Sequence, residues 1–131
     1  MCVSRDGQEL FVSSDRDEPG KLRIYRFWWA DGSWQGPEKL GAAVNSGAGD
    51  MQPFLMADES YLLWTSQRGG YPQIYRAARL GENEWGPAEL VVSGPPVGSP
   101  SLTDDGRLLC FAALAPAMGG FEADVYCARA E

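Results

Sequence analysis

Apolar residues in this chain come in short runs, such as Leu10-Phe11-Val12, Ile24-Tyr25, Leu62-Leu63-Trp64, Ile74-Tyr75 and Leu108-Leu109-Cys110-Phe111. Glycine, aspartate, asparagine and proline separate them, and no run keeps a 3.6-residue period long enough for a helix. The second of three similar stretches shows the pattern best. Strands are predicted over 52–57, 61–67, 73–80 and 88–92, with breaks at Asp58-Glu59 and Arg68-Gly69-Gly70. Four short strands joined by turns make a β-meander. Leu62-Leu63-Trp64 is apolar at consecutive positions, which predicts a strand covered on both faces. Asp6-Gly7 and Asp105-Gly106 supply residues that tolerate positive φ in a tight hairpin between the first two strands of a unit. Glu59 stands at the equivalent place in the second unit, which predicts a turn of different construction there.

The whole pattern is written three times. Tyr25, Tyr75 and Tyr126 recur at intervals of 50 and 51 residues, and Trp34 and Trp85 stand 51 apart. Around them recur Val3-Ser4-Arg5-Asp6-Gly7, Pro53-Phe54-Leu55-Met56-Ala57-Asp58 and Pro100-Ser101-Leu102-Thr103-Asp104-Asp105-Gly106. A period near 50 marks stacked all-β units, here 1–50, 51–99 and 100–131. A repeat of that length with a recurring Trp and Tyr fits the radially packed four-stranded blades of a β-propeller. The fold expected is all-β: a partial propeller of about eleven strands in a 4, 4, 3 arrangement, the third unit lacking its outer strand. Trp34 and Trp85, just before the fourth strand of their units, are predicted to pack between blades.

Composition narrows the function. The 131 residues carry a net charge of −7, which disfavours phosphate backbones and anionic lipid as partners, so neither nucleic acid binding nor membrane insertion is expected. The run from Leu108 to Met118 contains Pro116 and is too short to span a bilayer; it reads as a strand followed by a loop. The first ten residues include Arg5, Asp6 and Glu9, so no signal peptide is expected in this chain. There is no histidine, which removes Ser-His-Asp and Cys-His catalysis and weakens any zinc reading; no metal or cofactor is expected. Cys110 and Cys127 fall on neighbouring predicted strands. A cross-strand bridge is conceivable there, and a pair of buried free thiols is the reading preferred.

Several of the recurring phrases together resemble the TolB-like, WD-repeat-like β-propeller repeats found in bacterial envelope proteins. These are Pro-x-Leu-x-x-Asp-Gly, the Ser-rich strand ends Ser13-Ser14-Asp15-Arg16 and Thr65-Ser66-Gln67-Arg68, the Ile-Tyr or Val-Tyr of the third strand, Asp31-Gly32-Ser33-Trp34, and Val44-Asn45-Ser46 before the next unit. The resemblance covers nearly the whole chain. It implies a non-catalytic scaffold for protein binding, and residence in the periplasm or elsewhere outside the cytoplasm.

A meander places the loops after the second strand and the linkers between units on one rim. Binding residues are expected there: Arg16, Asn45, Asp50, Arg68 and Tyr71, accompanied by Asp15, Asp17 and Phe121. Because Arg16 and Arg68 occupy equivalent repeat positions, a role in pinning each hairpin to its neighbour is an equally physical reading. The competing function is a fragment of a propeller-type glycoside hydrolase, with carboxylates such as Asp50, Glu122 or Asp124 as acid and base. Gly69-Gly70 and Gly119-Gly120 read as turn glycines. Three units cannot close a normal ring, so the expected partner is another protein, the chain's own missing blades, or a second copy completing six blades.

Overall fold

The computed structural model describes residues 1–92, 95–117 and 120–129. Among them every regular element is a strand: β1 (Cys2–Val3), β2 (Glu9–Ser14), β3 (Arg23–Ala30), β4 (Ser33–Lys39), β5 (Asp50–Leu55), β6 (Tyr61–Ser66), β7 (Gln73–Gly81), β8 (Glu84–Trp85), β9 (Glu89–Val92), β10 (Val97–Leu102), β11 (Leu108–Ala117) and β12 (Gly120–Arg129). No helix in this set is long and apolar enough to cross a membrane. The strands form three antiparallel sheets: β1-β2-β3-β4, then β5-β6-β7-β8 with β9 also on β7, then β10-β11-β12. The fold is a partial β-propeller, with blades of 4, 5 and 3 strands. The strand count is twelve rather than eleven, because the predicted fourth strand of the second blade, 88–92, is β9, and a short extra strand, β8, precedes it on β7. Gly86, Pro87 and Ala88 separate the two, and Pro87 has no N–H to give to a ladder.

Register aligns the repeats residue by residue. Cys2 faces Phe11, Phe54 faces Leu63 and Ser101 faces Cys110; likewise Leu10 faces Phe27, Leu62 faces Ala77 and Leu109 faces Ala128. Successive side chains of each second strand therefore point alternately to the preceding and the following blade. In β6, Leu62 and Trp64 join one buried cluster with Phe11, Ile24, Leu40, Leu55, Ala77 and Trp85. Leu63 joins a second with Ile74, Val97 and Ala113. Both faces of β6 are thus covered, as its consecutive apolar residues predict.

The hairpin turns correct one expectation. Glu59 adopts φ +62°, beside +73° at Gly7 and +71° at Gly106, so all three turns are built alike. The amides of Gly7, Glu59 and Gly106 donate to the carbonyls of Ser4, Met56 and Thr103 at 2.9, 2.8 and 2.8 Å. Asp6, Asp58 and Asp105 each accept the amide two residues on at 3.0 Å. The local aspartate and its bonds hold the turn strongly enough to force a glutamate into a conformation that glycine adopts freely.

Three further expectations are corrected. Cys110 and Cys127 are bridged, not free: they face each other directly across β11 and β12. The predicted strand and loop after Leu108 is one strand through Pro116 to Ala117, paired throughout with β12. Trp34 is 45% exposed rather than packed between blades, whereas Trp85 is 8% exposed. Trp85 has the first blade beside it; among the described residues Trp34 has no preceding blade, and packs edge-on to Trp29 at 5.5 Å.

Candidate functional site

The rim singled out in the sequence is a hydrogen-bonded lattice around Asp50. This residue opens β5 and is fully buried. Its Oδ1 accepts Trp64 Nε1 and an Arg68 guanidinium N–H, both at 3.1 Å, and its Oδ2 accepts the Ser46 amide and hydroxyl at 2.8 Å. Arg68 lies against the Tyr75 and Trp64 rings, 4.9 and 5.3 Å from their centroids, and donates to the Ala43 and Val44 carbonyls. Asn45 clasps the linker to β3: its Nδ2 donates to the carbonyls of Ile24 and Leu40, and its Oδ1 accepts the Ile24 amide. A buried carboxylate is tolerated here because four donors, one of them the paired Arg68 guanidinium, replace its water.

Asn45, Asp50 and Arg68 are therefore brought together, tying the linker between the first two blades to β3 and β6. Arg16 and Tyr71 are placed apart from them, on exposed loop surface. Arg16 repeats the Arg68 placement more loosely, 5.9 Å from the Tyr25 ring, with its amide on Ser14 Oγ at 3.2 Å. The Tyr71 hydroxyl accepts Gln73 Nε2 at 3.3 Å. Asp15 and Asp17 lie beside Arg16 on the same exposed stretch. Asp124 is exposed on β12; Met118 and Gly119 lie outside the described residues, as do the side chains of Phe121 and Glu122.

Sequence reasoning missed a second polar centre on the opposite rim. Arg26 on β3 is 3% exposed and donates to Glu9 at 2.6 Å and to Glu82 at 2.9 Å, with Glu38 at 3.4 Å. Arg79 near the end of β7 donates to the same Glu9 at 2.6 Å and to Glu59 at 3.1 Å. Two arginines and four glutamates thus join the first blade to the second. Burial pushes the Glu9 carboxyl up, but the bonds from Arg79 and Arg26 outweigh it and hold the group below the usual carboxylate range. Burial and the neighbouring Glu9 push Glu59 the other way. A shallow recess lined by Glu9, Glu59, Arg79, Leu80, Gly81 and Glu82 opens beside the cluster. The available signal was an arginine at positions 26 and 79 inside largely apolar strands, since a strand arginine with both faces covered needs acidic partners.

These stitched, radially placed sheets define the class: a stretch of a β-propeller. No protein-family model and no curated protein matches the sequence. Solved structures do. TolB from Acinetobacter baumannii aligns over 95% of this chain and 28% of its own, with a TM-score of 0.68 and 19% identity. A structure assigned to TolB from Agrobacterium tumefaciens aligns over 98% of this chain and 44% of its own, with a TM-score of 0.72 and 18% identity. The chain has the TolB-like propeller-repeat fold and spans less than half the length of these proteins.

Proposed function

We propose that this chain is a non-catalytic protein-interaction module built from TolB-like propeller repeats. The observation that carries this reading is the division of labour on the rim. Asn45, Asp50 and Arg68 are consumed in holding the linker, while Arg16 and Tyr71 project from loops so fixed. A rigid frame presenting arginine and tyrosine is the arrangement of a protein-recognition surface. The carbohydrate-active alternative loses its leading acid: Asp50 is buried, paired with Arg68, and has no surface on which to meet a sugar.

We extend the reading to assembly. The face of the first blade that carries Trp29 and Trp34 is equivalent to the face of the second that the first blade covers. A further blade belongs on it, and a second copy of the chain would give six. Size exclusion with light scattering tests this at once: a species of twice 14.3 kDa is expected, and a well-folded monomer refutes the paired ring. For the rim, an envelope-fraction partner captured by the chain should be lost by Arg16→Ala with Tyr71→Ala. Retention by that double variant would refute the assignment.

A further inference from the structure

The hairpin turns of the three blades share one backbone, yet only the second carries a side chain at the position of positive φ: Glu59 stands where the others have Gly7 and Gly106. Its φ of +62° is one that glycine adopts freely and glutamate adopts at a cost. The carboxyl so placed reaches the junction between the first and second blades, where it meets Glu9 of β2. Both carboxyls accept from a single nitrogen of Arg79: Nη1 lies 2.9 Å from Glu9 Oε1 and 3.1 Å from Glu59 Oε1. Two carboxylates crowded onto one nitrogen repel each other, and such pairs relieve the repulsion by keeping a proton between them.

The surroundings sharpen that repulsion. From the first blade, Asp6 in the turn before β2 adds negative charge near Glu59, while Arg26 on β3 spends its bonds on Glu9, Glu38 and Glu82. From the second blade, Arg79 on β7 divides its donors among Glu9, Glu59 and the carbonyls of Gly81 and Glu82. Within the turn itself, Asp58 accepts the Ser60 amide and hydroxyl. Four glutamates face two arginines, so the cluster is short of positive charge whenever every carboxyl is ionised. Glu9 is poorly placed to take the proton, because its side chain is 13% exposed and holds guanidinium bonds at 2.6, 2.6 and 2.9 Å. Glu59, at 36% exposure and with one guanidinium bond, meets water and takes it instead.

The proton has a mechanical consequence because the two carboxyls belong to different blades. While both are ionised, their repulsion acts across the junction, against the Arg79–Glu9 and Arg26–Glu82 pairs that close it. Once Glu59 takes a proton from solvent, its O–H donates to the Glu9 carboxylate, and a repulsion across the seam becomes a third bond across it. The other rim of this junction is pinned separately by Asn45, Asp50 and Arg68. We propose that Glu9 and Glu59 form a pH-responsive latch between the first two blades, closed in mild acid by a carboxyl–carboxylate hydrogen bond and slackened when the proton returns to solvent. The latch is separate from the Arg16 and Tyr71 surface and stands without it.

The sign follows from the two environments. Burial, the bond to Glu9 and the charge of Asp6 hold the Glu59 carboxyl above its ordinary 4.5, so its contribution is complete below that value and lost as pH rises through the raised one. The arginine bonds outweigh burial at Glu9 and hold it lower, so its contribution is complete above 4.5 and lost as pH falls through the lowered value. Between the two values the pair holds one proton, and the latch is closed.

Carboxyl-carbon titration by NMR tests this on the intact 131-residue chain, together with amide hydrogen exchange in β2 and β7 at neutral pH and at about pH 5, corrected for intrinsic exchange rates. Glu59 is expected to titrate above 4.5 and above Glu9, and the seam amides to be protected several-fold better in mild acid. Glu59→Gln, whose amide donates to Glu9 at either pH, should keep the acid level of protection at neutral pH and lose the pH dependence. Glu59→Gly restores the residue of the other two turns and should also remove the dependence, while Glu9→Gln should return the Glu59 titration to the ordinary range. Should Glu9→Gln fail to fold, the two Glu59 variants decide the matter alone. Titration of Glu59 at or below 4.5, seam protection that does not rise on mild acidification, or a Glu59→Gln variant with the wild-type pH dependence would overturn the proposal.

Discussion

The two junctions between blades are built on one plan and finished differently. Between the first and second, Phe11 and Trp85 fill the apolar layer, and the Glu9, Arg26, Arg79, Glu59 and Glu82 cluster seals it at one rim. Between the second and third, Leu63 replaces Phe11, no indole is seated among the described residues, and a cleft remains. On the inner side the second junction has a compensating stitch: the Ser99 amide donates to Gln52 Oε1 at 2.8 Å and to Thr65 Oγ1 at 3.1 Å. Gln52 and Ser99, each before a proline, share the same unusual φ of 54° and 53° at equivalent positions. The comparison teaches that the repeat fixes where blades meet, and that a few large side chains decide how tightly.

The sharpest way to break the contrast is Trp85→Ala. Truncating this buried indole should cost about 4 kcal/mol, seen as a large drop in the urea midpoint; an unchanged midpoint would show that the first junction does not depend on it. Next comes the ion cluster. Arg26→Met leaves Glu9, whose side chain is largely buried, short of a partner, at an expected cost of about 3 kcal/mol. Acid should act on the same cluster. Glu9 is held below its ordinary 4.5, so its stabilisation is present at neutral pH and is lost as pH falls through that lowered value. Glu59, shifted upward, takes its proton earlier in the descent and offsets part of the loss. The Arg26→Met variant should therefore show a flatter acid limb in thermal melts, and an equal slope would remove Glu9 from the account.

Opening the Cys110–Cys127 bridge tests the third blade alone. The bridge spans a 17-residue separation, so reduction should cost about 2–3 kcal/mol on chain-entropy grounds. Dithiothreitol should speed exchange in β11 and β12 while leaving β2 and β6 protected; uniform loosening of all three blades would contradict a local role. The smallest effect has the opposite sign. Leu63→Phe copies Phe11 into the second junction, and partial filling of the cleft should raise stability by about 1 kcal/mol. A loss instead would mean that the two junctions differ in backbone spacing and not only in side-chain volume.

The number of blades, the strand meander and the covered faces of β6 were legible in the sequence, because a period near 50 and consecutive apolar residues admit few other arrangements. The equivalence of Arg16 and Arg68 was legible too, and it pointed to the pinning role that Arg68 fills. The ion cluster was not. Glu9 and Arg79 are 70 residues apart in sequence, and nothing local indicates that neighbouring blades bring them to 2.6 Å. The disulfide escaped for a related reason, since the bridge needs Cys110 directly opposite Cys127, and a one-residue slip of register would place them on opposite faces. At Glu59, turn chemistry carried by Asp58 and Ser60 overrode the preference of the residue itself.

By itself, then, the sequence determined what repeats: local turn chemistry, strand order and side-chain alternation are short-range matters that a reader can follow along one chain. Only the tertiary structure decided what the repeats do to each other. Burial of Asp50 under Arg68, the seating of Trp85 but not Trp34, and the open cleft above Leu63 all depend on which blade stands beside which. Packing between sheets is a contact between distant residues, and its energy is set by shape and volume that no single repeat contains.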